Sequence, residues 1–274
     1  MKIPEALSQW IERKCRSLSP AYGKLLRHWV FVWEDVFGKS KEVEEVSVSD
    51  VERLEATRDD GERSASALNQ ECVYLRAFFV WAKALGYCSA DPTVTWRYRR
   101  PVVKRTYATL TREEEDRLVE VAESWPWLQT YVRVAVCTGL REGTVRQLTW
   151  AMLRPDGVLE IPAKIMKSRH AHRIPLPERA LAALGPRGPG VLIKALPSKT
   201  RVWQVFKAAC KKAGISEAAS PHDLRRSWVE RLSTAGVPLQ TIQSLGAWKT
   251  ASVLLNHYCP TVSTDRAREI LAVV

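Results

Sequence analysis

Residues 96–107 read Trp-Arg-Tyr-Arg-Arg-Pro-Val-Val-Lys-Arg-Thr-Tyr. Five basic side chains, three aromatic rings and a proline follow one another with neither a helical nor a strand period, the mark of an extended connector. Its cations, Arg97, Arg99, Arg100, Lys104 and Arg105, suit a phosphate backbone, although an ordinary solvated connector carries similar residues. The stretch decides the organisation of the chain. It predicts a first domain over residues 1–95, a basic linker over 96–106 and a second domain over 107–274.

Upstream, Leu7, Trp10 and Ile11, then Leu25, Leu26, Trp29, Val32 and Trp33, recur at three- and four-residue spacing and predict two amphipathic helices split near Ser19-Pro20. Glu42 to Glu62 holds nine acids and reads as a solvated helical face turned away from a polyanion. Leu68, Cys72, Leu75, Phe79, Ala82 and Leu85 form a helical stripe that Gly86 and then Asp91-Pro92 terminate. The first domain is therefore expected to be all helical.

Downstream, Thr111-Arg-Glu-Glu114 fits a capping box ahead of Leu118, Val121 and Ala122. Val158 to Pro162 and His172 to Pro177 read as two short strands around a basic hairpin, KIMKSRHA, and the remainder as mostly helix. The fold class expected is mainly α with a small β-sheet.

The whole chain has 274 residues, 46% apolar and 26% charged, enough for a real core in each domain. No apolar run approaches the roughly 18 residues of a membrane span, and the opening MKIPEALSQWIERK lacks a signal-peptide core, so a cytoplasmic protein with no membrane partner is expected. Six cysteines without a C-x-x-C pair read as reduced thiols, which disfavours disulfide scaffolds and structural zinc. His170, His172, His222 and Cys259 match no standard zinc spacing. The net charge of +12 points to a polyanion, nucleic acid first, and residues 107–274 hold 24 basic against 15 acidic side chains.

Within that basic half, hydrogen-bonding and cationic residues recur in separate motifs: Arg141 in CTGLREGTVRQLTW, Lys167 in the hairpin, His222 and Arg225 in PHDLRRSW, and Tyr258 in LLNHY. A helix beginning near Pro221 would place His222 and Arg225 on one face. Two guanidinium groups such as Arg141 and Arg225 suit the non-bridging oxygens of a phosphodiester, whose charge grows in a pentacoordinate transition state. Such a clamp would need no metal or other cofactor.

The ordered set TGLR, a hairpin lysine, HxxR, a turn containing Leu245-Gly246 and a tyrosine 16 residues from the last position resembles the tyrosine recombinase (phage integrase) family. The segment YLRAFFVWAKALGYCSADP likewise resembles that family's helical core-binding domain. The resemblance implies a helical core-binding domain and a mixed α/β catalytic domain closing as a C-shaped clamp on DNA. It implies Tyr258 as the nucleophile that forms a 3′-phosphotyrosyl link, Arg141 and Arg225 as the phosphate clamp, Lys167 as the general acid on the leaving 5′-oxygen, and His222 as an aid to proton transfer. Arg169 of the hairpin joins the linker cations as an expected DNA contact. The implied partners are double-stranded DNA with a specific recombination site, a homo-tetramer on that DNA and accessory DNA-bending proteins, in a nucleoid-associated bacterial or viral mobile-element setting. A helix over Asp265 to Val274 would then dock on a neighbouring protomer, with packing on its own domain as the alternative.

Three departures from the family pattern bear on the site. The acid usual three residues after the first arginine is Thr144 here, with Glu142 beside it. The position after Leu245-Gly246 is Ala247, so Trp248, whose indole can donate to a phosphate oxygen, is assigned one residue later. Lys164 competes with Lys167, which better fits the strand ending in Ile174-Pro175-Leu176. Two other readings of the same motifs stand beside the recombinase: a non-catalytic, sequence-specific DNA-binding relative, and a type IB topoisomerase.

Overall fold

The computed structural model describes residues 1–94, 96, 108–258, 268 and 272, the side chains of 21 and 256–258 excepted. The linker cations at 97, 99, 100, 104 and 105 and nearly all of the tail at 265–274 therefore lie outside the described residues. The chain forms two compact units, Met1–Arg105 and Thr106–Val274.

The first unit is helical: α1 (Ile3–Cys15), α2 (Pro20–Phe37), α3 (Val48–Arg58) and α4 (Ala65–Ala84). Ser19 caps α2 by accepting the Tyr22 amide, and Pro20 follows as the first helical residue, where its missing N–H costs nothing. The apolar stripes of α1, α2 and α4 meet in one core around Trp10, Trp33, Phe78 and Phe79. Leu85, read as part of the α4 stripe, is instead exposed just past the helix end.

The acidic stretch also departs from expectation, because not all of it is solvated. Asp50 is buried at the start of α3, where it takes the Ser47 amide and the Lys41 ammonium at 2.6 Å. These donors outweigh the cost of burial and hold its carboxyl at a pKa of about 2.

The second unit continues with α5 (Arg112–Val121), α6 (Pro126–Thr138), α7 (Glu142–Val145), β1 (Val158–Ile161), β2 (His172–Pro175), α8 (Glu178–Leu184), α9 (Lys199–Lys212), α10 (Asp223–Thr234), α11 (Leu239–Leu245) and α12 (Ala251–Tyr258). The Thr111–Glu114 capping box opens α5 as expected. Strands β1 and β2 form a two-stranded antiparallel sheet with Ile161 opposite His172, and both end one or two residues earlier than their sequence suggests. Pro162 has no N–H for the ladder, and the chain turns into a short 3₁₀ segment at Ala163–Ile165.

A large core gathers α5, α6, the sheet and α9, while a smaller one of Trp228, Val229, Ile242, Trp248 and Leu254 lies under α10, α11 and α12. Helix α10 is tied down from the other side. The fully buried Glu115 of α5 pairs with Arg231 of α10 and with Arg179 of α8, and the Leu110 amide donates to Ser227 Oγ at 2.8 Å. No described helix is long and apolar enough to cross a membrane.

Candidate DNA-cleavage site

Helix α6 ends at Gly139, whose φ of +60° is the left-handed conformation that a residue without Cβ adopts freely. A Cβ there would sit 2.5 Å from Cε3 of Trp228, so close packing imposes glycine a second time. The turn leaves Arg141 extended at the mouth of α7, half-buried, its guanidinium with no hydrogen-bond or ion-pair partner among the described residues.

Helix α10 begins at Asp223, two residues later than Pro221. Asp223 reaches back to accept the Ser220 amide at 2.8 Å and the Ser220 hydroxyl at 2.7 Å, which ties the incoming turn to the helix start and leaves His222 at the N-cap position. One turn in, Arg225 is 2% exposed. Its guanidinium donates to the Gly139 carbonyl and, at 2.8 Å, to the Gly246 carbonyl, and lies 3.6 Å from the centre of the Trp248 ring. Thus α10 presents an arginine whose two amino groups are aimed by the backbone of the TGLR turn and of the Leu245-Gly246 turn.

The second of those turns accounts for the tryptophan offset. Ala247 adopts φ +53°, so the chain reverses through it and Trp248 returns beneath Arg225, stacked on Trp228 with ring centres 6.2 Å apart. A side chain on Gly246 would overlap the Trp248 ring. Trp248 is buried, with the face of its ring against the Arg225 guanidinium.

His222 keeps an exposed ring edge, yet the protein around it, followed by the charges of Arg226, Arg225 and Arg141, pulls its pKa down to about 4. Those cations place Arg141, Arg225 and His222 in one electrostatic neighbourhood, and the imidazole is neutral at physiological pH. The acid near Arg141 is spoken for: Glu142 accepts Arg146 Nε at 3.1 Å and Nη2 at 2.8 Å. Thr144, in the slot of the usual acid, is buried with its hydroxyl 4.0 Å from Met166 Sδ.

Lys167 is exposed in the turn after Met166, Lys164 is exposed in the 3₁₀ segment, and Arg169, also exposed, takes φ +61°. Among the described residues the Lys167 amine makes no hydrogen bond or ion pair with Arg141, His222 or Arg225; the hairpin meets the site through neighbours, Met166 against Thr144 and His172 Nε2 at 2.9 Å from the Leu245 carbonyl oxygen. Tyr258 closes α12 one turn after Leu254, which is buried in the small core below α10, and its side chain lies outside the described residues. By contrast Tyr131 is buried in the large core, where desolvation pushes its phenol pKa far above the ordinary value, unsuited to a nucleophile.

Sequence reasoning missed four participants: the carbonyls of Gly139 and Gly246 that aim Arg225, Trp228 as the floor under Trp248, and His172. The glycines had a signal in their motifs; His172 had none. A cleft of about 950 Å³ in this unit, lined by Leu110, Arg112, Cys137, Arg179 and Arg231, contains none of the candidate catalytic residues. Among the described residues no group of three or more His, Cys, Asp and Glu side chains lies together as a metal site would.

Residues 194–262 match the phage integrase family. The integrase of Salmonella phage P22 is 28% identical over 186 residues, 59% of this chain and 46% of its own length. The tyrosine recombinase XerD of Bifidobacterium longum is 32% identical over 87 residues, 31% of this chain and 26% of its own. The chain thus spans less than half the length of these relatives. Two solved structures share the fold across the whole chain. A lambda integrase fragment (75–356), a dimer bound to a COC′ core site, has a TM-score of 0.76 at 20% identity, over 96% of this chain and 100% of that one. The Tn1549 transposon integrase (82–397) with circular intermediate DNA has a TM-score of 0.75 at 17% identity, over 99% of each chain. Residues 194–262 are thus similar to the phage integrase family, and the chain shares its fold with integrases of solved structure.

Proposed function

We propose that this protein is a site-specific DNA recombinase that cleaves and rejoins strands through a 3′-phosphotyrosyl intermediate. The observation that carries the reading is Arg225, immobilised by the Gly139 and Gly246 carbonyls and the Trp248 ring in the same charged neighbourhood as Arg141 and His222. Motifs distant in sequence converge there on a group suited to a phosphodiester.

In this reading the Tyr258 oxygen attacks phosphorus while Arg141 and Arg225 hold the two non-bridging oxygens, whose charge increases in the transition state. The neutral His222 exchanges a proton with the tyrosine, Lys167 protonates the departing 5′-oxygen, and Trp248 braces Arg225. The phosphotyrosyl bond conserves the energy of the broken diester, so a second strand's 5′-hydroxyl can reverse the attack without ATP. Arg97, Arg99, Arg100, Lys104, Arg105 and Arg169 contact the DNA backbone around a specific site. Recombination between two such sites takes a homo-tetramer, with the tail after Tyr258 docking on a neighbour; the lambda integrase tetramer on a Holliday junction has the same fold.

The test is Tyr258→Phe, which removes one oxygen and keeps the ring. On a duplex selected from random sequence by the wild-type protein and nicked near the cleavage point, the variant is expected to bind as tightly as wild type and to form no covalent adduct. A full-strength adduct from Tyr258→Phe overturns the nucleophile. Wild-type protein that binds such DNA tightly and never forms an adduct points instead to a non-catalytic relative.

A further inference from the structure

The Leu245-Gly246 turn offers two consecutive carbonyls, and side chains from two different elements take them. Arg225 of α10 donates to Gly246 at 2.8 Å, and His172, the first residue of β2, lies with Nε2 2.9 Å from the Leu245 oxygen. Leu245 offers only an acceptor there, so His172 Nε2 carries the proton. His172 is half-buried, and burial and the nearby Arg225 charge lower its pKa against the opposing pull of the Leu245 bond.

His172 also stands at a mechanically decisive place in the hairpin. It pairs with Ile161, the last residue of β1, so residues 162–171, Lys167 among them, form the loop that leaves the sheet at this point. Met166 packs into the core on the other side of that loop, against Thr144. The loop is thus pinned at its middle by an apolar side chain and at its base by one polar bond to the turn that aims Arg225.

We propose that His172 is a positioning residue: its bond to the Leu245 carbonyl registers the hairpin loop, and with it the Lys167 amine, against the Arg225 phosphate clamp. The inference rests on Lys167 being the general acid. It requires that loss of His172 impair protonation of the leaving oxygen and little else.

The test compares ordinary DNA with DNA whose bridging 5′-oxygen at the cleavage point is replaced by sulfur, which departs without protonation. Both are nicked duplexes of a site selected by the wild-type protein. His172→Ala is expected to form the adduct on the order of 10-fold more slowly on oxygen DNA, a fraction of the effect of removing a general acid outright, and near the wild-type rate on sulfur DNA. His172→Gln, whose amide nitrogen can reach the same carbonyl, should restore the rate on oxygen DNA, and site affinity should change little in either variant. Lys167→Ala, rescued by sulfur, is the control. If Lys167→Ala is rescued and His172→Ala is equally slow on both substrates, the positioning role is overturned while the general acid stands. If Lys167→Ala is not rescued, the general-acid reading falls and this inference with it. Should His172→Ala fail to fold, His172→Asn, too short to reach Leu245, takes its place, and wild-type rates from it on oxygen DNA also overturn the proposal.

Discussion

Among the described residues each unit buries one arginine near tryptophan, and the two have different partners. Arg58 in the first unit is 5% exposed and donates Nε to Glu71 at 2.9 Å, while the other Glu71 oxygen accepts the Trp33 indole N–H at 3.0 Å. Arg225 in the second unit, 2% exposed, donates to two carbonyls and lies against an indole face, groups that orient a guanidinium through their dipoles. A carboxylate partner satisfies a buried arginine and turns it into a brace. A carbonyl cradle fixes its direction.

Removing each arginine separates these roles. Arg58→Ala strands the Glu71 carboxylate in the core and should cost about 3–5 kcal/mol of stability, read as a lower denaturant midpoint of the full chain. The fraction that remains folded should form the DNA adduct at the wild-type rate; a slowed adduct would mean that Arg58 also serves the site.

Arg225→Ala should reverse that pattern, slowing adduct formation by on the order of 10²- to 10³-fold while selected-site binding persists, the loss typical of an oxyanion donor. Arg225→Lys keeps the charge without the fork that spans the Gly139 and Gly246 carbonyls, and should recover only part of the rate. Equal rates for the lysine variant and wild type would show that charge suffices and that the cradle is dispensable.

The smallest expected effect concerns pH. In the unfolded chain the His222 imidazole titrates near its ordinary 6.5, and in the folded protein near 4. Between those values the unfolded chain holds a proton that the folded chain refuses, so this group's contribution to stability, complete above 6.5, is lost as pH falls toward 4 and is constant below. His222→Asn should flatten that part of the curve of thermal midpoint against pH, modestly, because the exposed ring edge lets solvent screen the charges. A curve unchanged by the substitution would place the acid sensitivity elsewhere, with His172 the next candidate.

Much of the local structure was legible because the deciding forces act over a few residues. Ser19-Pro20 and Thr111–Glu114 start helices by satisfying nearby amides, and the apolar stripes of α1, α2 and α4 need only a partner surface to be buried. Errors arose where burial depended on more than the periodic pattern. Asp50 reads as one acid among nine until Lys41 and Ser47 come to it. Leu85 looks like the next step of a stripe until α4 stops one residue short.

The chemistry-bearing residue types were legible in the same way: TGLR, HxxR and the Leu245-Gly246 turn identify themselves through order and spacing, and through glycines that no larger residue can replace. Direction and company were not. Gly139, Arg225 and Gly246 lie 86 and 21 residues apart along the chain, and nothing local predicts that two backbone carbonyls would aim one guanidinium. Nor does the sequence around His172 distinguish a surface histidine from one that closes on Leu245, 73 residues away. Helix caps, turns and stripes follow from interactions within a few residues, whereas the cradle of Arg225 and the bond of His172 exist only once α6, α10, α11 and the hairpin have packed, because packing chooses which carbonyls remain for which donors.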